Sequence, residues 1–190
     1  MQVIESLLAI AHDPTDTAGH RVLKQAQGRI RAMSGVHETI HRCGGEEDIP
    51  VRSHLEELAR NVLVAHGRHD SISVLVETNR ATMHASDLMA LSLLVNELLT
   101  NAVKYAFAGR DRGSIRITLR TAPDSMELIF TDDGVGMESH SPYSRPDSFG
   151  MRLLTALVQQ LNGTMSIATS EGTSFRLRFV PDRMEQRKAS

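Results

Sequence analysis

The chain has 190 residues, 41% of them hydrophobic, with one cysteine, no tryptophan and a formal net charge of −2. That length supports one well-formed core plus a smaller element, and the near-neutral balance excludes a global attraction to nucleic acid or anionic membrane. Cys43 alone excludes an internal disulfide, and no apolar run reaches the ~18 residues that a bilayer span requires, so the reading is a cytoplasmic chain with no membrane segment.

"MQVIESLLAIAH" reads as a short helix with Val3, Ile4, Leu7 and Leu8 on one side. Glu5 inside the run and the lack of a basic n-region separate it from a signal peptide. "DPTDT" breaks the pattern, with Asp16 or Thr17 as a candidate N-cap. Next, Leu23, Ala26, Ile30, Met33, Val36 and Ile40 recur at three- and four-residue spacing, which predicts one amphipathic helix of about 25 residues. The two helices make an antiparallel hairpin, whose apolar stripe calls for a partner helix pair from a second copy or from the rest of the chain.

"CGGEEDI" marks the boundary, and a second unit starts near Ile49. It is predicted to run helix 51–65, strand "SISVLVET", a helix after "HASD", strands "SIRITLR" and "MELIFTD", helix "MRLLTALVQQLNG", then strands "TMSIAT" and "TSFRLRFV". Alternating apolar residues in the strands predict one covered face. The fold class expected is α+β, a two-layer α/β sandwich preceded by the helical hairpin, with the hairpin at 1–42, the second unit at 49–182 and a frayed tail at 183–190.

Three stations in the second unit carry candidate chemistry. On the helix "LLVNELLTNAVKYAF", Glu97, Asn101 and Lys104 are spaced to project from roughly one face. An amide oxygen such as that of Asn101 beside nucleotide phosphates suits magnesium, and a carboxylate one turn back can orient or deprotonate an attacking group. The plain alternative is a solvated helix surface. The second station, "TDDGVGM", closes a strand: Asp132 can accept from an exocyclic amine, and Gly134 and Gly136 permit close approach, although an Asp-Gly turn explains the same letters. The third, "DSFGMRLL", places Ser148 and Gly150 at a helix N-terminus, suited to phosphate oxygens or to simple capping. Between the last two lies "ESHSPYSRP", polar and proline-bearing as a lid over a ligand is. There is no Walker A pattern and no kinase H-R-D and D-F-G set. His37 and His41, four apart with Cys43 nearby, lack an evident fourth metal ligand.

In order and spacing, "NELLTNAVKYAF", "DDGVGM", "SFGMRLLTALVQQLNG" and "EGTSFRLRF" resemble the N, G1, G2 and G3 boxes of the Bergerat-fold ATPases, the group of histidine kinases, gyrase, Hsp90 and MutL. "RIRAMSGVHETIHR" is similar to the second dimerisation helix of the histidine kinase branch close to the HWE type. The resemblance implies a Bergerat ATP-binding fold with ATP and Mg2+ as cofactors. By it, Glu97 helps activate the attacking group, Asn101 binds magnesium, and Lys104 and Tyr105 lie near phosphates and ribose. Asp132 reads the adenine amine, Gly134 and Gly136 line the base, Ser148, Gly150, Met151 and Arg152 border the phosphates, and Thr173 closes the adenine side. The implied function is the catalytic core of a two-component histidine kinase, passing phosphate from ATP to a histidine and then to the receiver domain of a response regulator, with a homodimer formed through the hairpin.

Two departures qualify the resemblance. The third station has one glycine where many relatives have G-x-G. The branch carries its acceptor histidine in a motif like "HRVKNN" just before "LQVIESLL", whereas this chain begins at "MQVIESLL"; the expectation is a kinase core inactive in autophosphorylation for want of that histidine. The alternative is a non-catalytic kinase homologue, or a phosphotransfer-like adaptor that docks a response regulator.

Overall fold

A computed structural model describes residues 17–45, 48–79, 81–136, 148–170 and 172–181. The first predicted helix, the cap residue Asp16, the lid segment and the tail lie outside them. Helix α1 (Thr17–Cys43) is followed by strand β1 (Ile49–Pro50), helix α2 (Val51–Ala65), strands β2 (Ile72–Thr78) and β3 (Thr82–Met83), and helix α3 (Ala85–Asn101). A π-helical turn (Ala102–Ala106) leads to β4 (Gly113–Ala122), β5 (Ser125–Asp132), α4 (Phe149–Gln160), β6 (Thr164–Ser170) and β7 (Gly172–Phe179).

Five strands form one sheet in the order β2-β4-β5-β7-β6. β2 runs parallel to β4, because β3 and α3 intervene before the chain returns beside it, while the other neighbours in the sheet are antiparallel. Register explains the core. Val76, Ile117, Phe130, Phe175 and Ile167 stand side by side across all five strands, and the first four are buried. Their neighbours Arg116, Arg120, Arg176 and Arg178 alternate to the exposed side. The helices close over the apolar face, and the result is the two-layer sandwich that the strand alternation implies.

Helix α4 starts at Phe149, where the Ser148 side chain accepts the Met151 N–H at 3.3 Å. It stops where Asn162 turns to φ 51°, with Asn162 N–H donating to Gln159 O at 3.0 Å and Gly163 N–H to Val158 O at 2.9 Å. This is a Schellman ending, with asparagine in the left-handed position beside Gly163.

Helix α1 packs on α3 and α2, and its buried residues among those described are Arg29, Ala32, Val36 and Thr39. Only Val36 of these belongs to the stripe read from the sequence. Of the rest of that stripe, Ile30 is 55% exposed and Met33 and Ile40 are half-buried. The buried face is thus rotated toward positions that a polar arginine and threonine disguised. A further polar group bridges three helices: His54 of α2 lies 3.1 Å from Thr39 Oγ1 of α1 and 2.8 Å from Ser92 Oγ of α3. Ser92 spends its proton on Leu88 O at 2.6 Å, so Nε2–H of His54 donates to Ser92. Burial holds the imidazole well below its ordinary range, at about 4, and the Arg42 charge adds to this while Glu57 opposes it.

Candidate functional site

Glu97 and Asn101 are both buried on α3, and Glu97 is turned toward α1. Arg29 Nε donates to Glu97 Oε1 at 2.8 Å. The same guanidinium lies over the Phe149 ring, with Cζ 4.7 Å from its centroid, and so ties α3 to the head of α4. Glu97, Thr100 and Lys104 also line a cavity of about 110 Å³ beneath α1, together with Gln27, Arg31 and Asn61. The alternative of a solvated surface fails for Glu97 and Asn101, since neither faces bulk water.

Directly after Asn101 the helix widens, with Phe107 N–H donating to Ala102 O at 3.1 Å across five residues. Such single π turns concentrate at functional sites because they change the direction of the residues that follow. Lys104 comes out half-buried and Tyr105 exposed. The π turn also receives the second station. Val135 N–H donates to Ala106 O at 3.0 Å, and a Cβ on Gly134 would lie 2.5 Å from both Ala106 Cβ and Ala106 O. Gly134 is therefore glycine because the β5 end is pressed onto the π turn.

Asp132 ends β5 as a buried carboxylate whose Oδ1 accepts the N–H groups of Gly134 at 3.0 Å and Thr173 at 3.2 Å. Burial pushes its carboxyl above the usual range, the bonds from Gly134 and Thr173 pull the other way, and the neighbouring Asp133 charge adds to the rise. No cation pairs with Asp132 among the described residues. Asp133 differs. Burial alone would raise it, but its two oxygens accept the Ser114 N–H and hydroxyl, each at 2.8 Å, and with the Arg110 charge these bring it below the ordinary carboxylate range. Arg110 also donates to the Asp133 carbonyl, so Asp133 pins the strand end while Asp132 faces inward.

Gly136 takes φ +73°, and Gly172 takes φ +91° with a would-be Cβ 1.9 Å from Asp132 O. Gly172 is thus what lets β7 begin against Asp132 and bring buried Thr173 beside it. At the third station Ser148 caps α4, Gly150 and Met151 are half-buried, and Arg152 is exposed. The structure joins the first and third stations through Arg29 and Phe149, and the first and second through Ala106 and Gly134. Three of these joining residues, Arg29, Ala106 and Phe149, escaped sequence reasoning, as did Gly172. All four stand inside quoted stretches, Arg29 at the head of "RIRAMSGVHETIHR" and the others in the boxes, but nothing in those letters singles them out.

Residues 86–183 match the histidine kinase-, DNA gyrase B- and HSP90-like ATPases, and residues 1–66 match a histidine kinase family. The chain belongs to the histidine kinase-, DNA gyrase B- and HSP90-like ATPase family. It is 24% identical over 187 residues to the sensor histidine kinase PdtaS of Mycobacterium tuberculosis, a match covering 94% of this chain and 36% of that protein. It is 25% identical over 150 residues to the blue-light-activated histidine kinase 2 of Erythrobacter litoralis, covering 76% and 43%. The chain thus spans less than half the length of these relatives. The histidine kinase domain of the Erythrobacter litoralis EL346 blue-light activated histidine kinase shares the fold, with a TM-score of 0.74 at 20% identity over 98% of this chain and 95% of that one. No helix among the described residues is long and apolar enough to cross a membrane.

Proposed function

We propose that the chain binds Mg-ATP and moves its terminal phosphoryl group to a histidine, as the catalytic core of a two-component sensor kinase whose phosphate passes on to a response regulator receiver domain. The observation that carries this is Asp132: a buried carboxylate, held by backbone N–H groups and lacking a cationic partner among the described residues, is completed by a ligand amine such as that of adenine. Gly134, Gly136 and Thr173 surround the base, Lys104 and Tyr105 meet ribose and phosphates, and Ser148, Gly150, Met151 and Arg152 border the phosphates at the α4 N-terminus. Among the described residues no three His, Cys, Asp or Glu side chains cluster as a metal cage. One amide oxygen from Asn101, with phosphates and waters, is the donor set that Mg2+ prefers. When bound, the ion offsets charge on the β- and γ-phosphates. Glu97 orients the attacking imidazole.

The working division is a helical unit at 1–42 that forms a homodimer, a catalytic unit at 49–182 and a tail at 183–190, in the cytoplasm. A second reading, a non-catalytic adaptor that docks a response regulator, draws on the Arg29 bond to Glu97, because that bond already occupies one carboxylate oxygen that would meet an attacking group. The test joins the chain to a helical segment carrying an "HRVKNN"-type histidine and supplies radioactive ATP. Acid-labile label, reduced more than ATP binding by Glu97→Gln, supports the kinase. Glutamine keeps an oxygen for Arg29, where alanine would strand a buried charge. ATP binding with no label in the joined protein supports the adaptor.

A further inference from the structure

We propose that Arg29, on the helix preceding the ATPase fold, is a phosphate-binding residue of the nucleotide site, its Nη2 donating to an oxygen of the terminal phosphate of ATP. The inference rests on the ATP-binding reading above. Position comes first: the guanidinium lies between Glu97, 2.8 Å from its Nε, and Phe149, the first residue of α4. Those two residues belong to the two stations assigned to the attacking group and to the phosphates.

The second observation is an unmet bond. Arg29 is 3% exposed, yet its Nη2 is buried with no hydrogen-bond partner. A buried charged donor without an acceptor is costly, and few survive in native proteins unless a ligand or ion completes them. Arginine presents five N–H groups in a planar fork, of which Glu97 takes one at Nε. A phosphate oxygen suits the remaining edge, since guanidinium pairs with phosphate in the geometry it uses for carboxylate. Nucleotide occupancy then couples to the docking of α1: ATP binds both the ATPase fold and the helical segment, while ADP lacks the group that Arg29 holds.

The test measures displacement of a fluorescent ATP analogue from the full 190-residue chain by ATP and by ADP, with Mg2+, for wild type, Arg29→Lys and Arg29→Gln. Lysine keeps a positive charge beside Glu97 and loses the fork. The expected result is a loss of ATP affinity of about 10-fold or more, with ADP affinity changed by less than about threefold and helical circular dichroism retained. Equal losses for both nucleotides, no loss for either, or tighter ATP binding overturns the proposal; the last outcome makes Arg29 only a restraint on Glu97. Should Arg29→Gln unfold, Arg29→Lys decides. Wild-type protein that binds neither nucleotide instead fails the ATP-binding reading itself, and the inference with it.

Discussion

Asp132 Oδ1 accepts the Thr173 N–H at 3.2 Å, one bond across the β5–β7 pair that fixes a buried carboxylate where two strands meet. Because burial raises this carboxyl, the folded state pays to ionise it. Sign follows: the group favours folding while protonated, and that contribution fades as pH rises from its unfolded value through its raised folded value. Asp132→Asn removes the cost at neutral pH and keeps an oxygen for Gly134 and Thr173, but sets an NH2 donor against the adenine amine. The variant should melt no lower than wild type and bind ATP at least about 10-fold more weakly. Calorimetry for stability and titration for affinity check both halves.

His54, linking α1, α2 and α3, titrates near 4 in the fold against an ordinary 6.5. Its contribution is complete above pH 6.5 and is lost as pH falls toward about 4, because the unfolded chain binds the extra proton over that window. The loss is about 3 kcal/mol at most. Urea unfolding between pH 7 and pH 4 should show a decline that His54→Gln, which does not titrate, flattens. Parallel profiles would deny His54 the role.

Gly172→Ala should destabilise by about 3 kcal/mol or more, since φ +91° and a Cβ 1.9 Å from Asp132 O both forbid a side chain. The strand would shift away from Asp132, so ATP binding should weaken in step. A wild-type unfolding midpoint would show that β7 does not need to begin where the structure places it.

Ile30 stands 55% exposed on α1, with Met33 and Ile40 half-buried beside the inward face, which leaves apolar surface for a second copy. Sedimentation over a concentration series should show a monomer–dimer equilibrium that Ile30→Glu shifts to monomer. A strict monomer at high concentration, helicity retained, would count against the homodimer.

Much of this was legible in the letters. Strand alternation gave Ile115, Ile117, Leu119, Phe175, Leu177 and Phe179 their buried side, because period two survives wherever one face of a sheet is covered. The boxes located the glycine-rich strand end and the head of α4. What stayed hidden were pairings distant in sequence. Arg29 and Glu97 are 68 residues apart, and an arginine in an amphipathic helix reads as solvated until its partner is seen. The two-residue ladder between Ile49 and Met83 is too short to leave a period. The π turn has no compositional mark, since "AVKYA" suits an ordinary helix. The parallel placement of β2 depends on the path of the crossover, which alternation does not encode.

The central claim is nucleotide binding by Asn101, Asp132 and the head of α4, and titration of the folded chain with a fluorescent ATP analogue in the presence of Mg2+ tests it most directly. The account predicts saturable binding between micromolar and millimolar, displaced by ATP. Asp132→Ala should abolish it with or without the ion, and Asn101→Ala should weaken chiefly its Mg2+-dependent part. Folded wild-type protein that shows no binding, or binding that both variants leave unchanged, would contradict it.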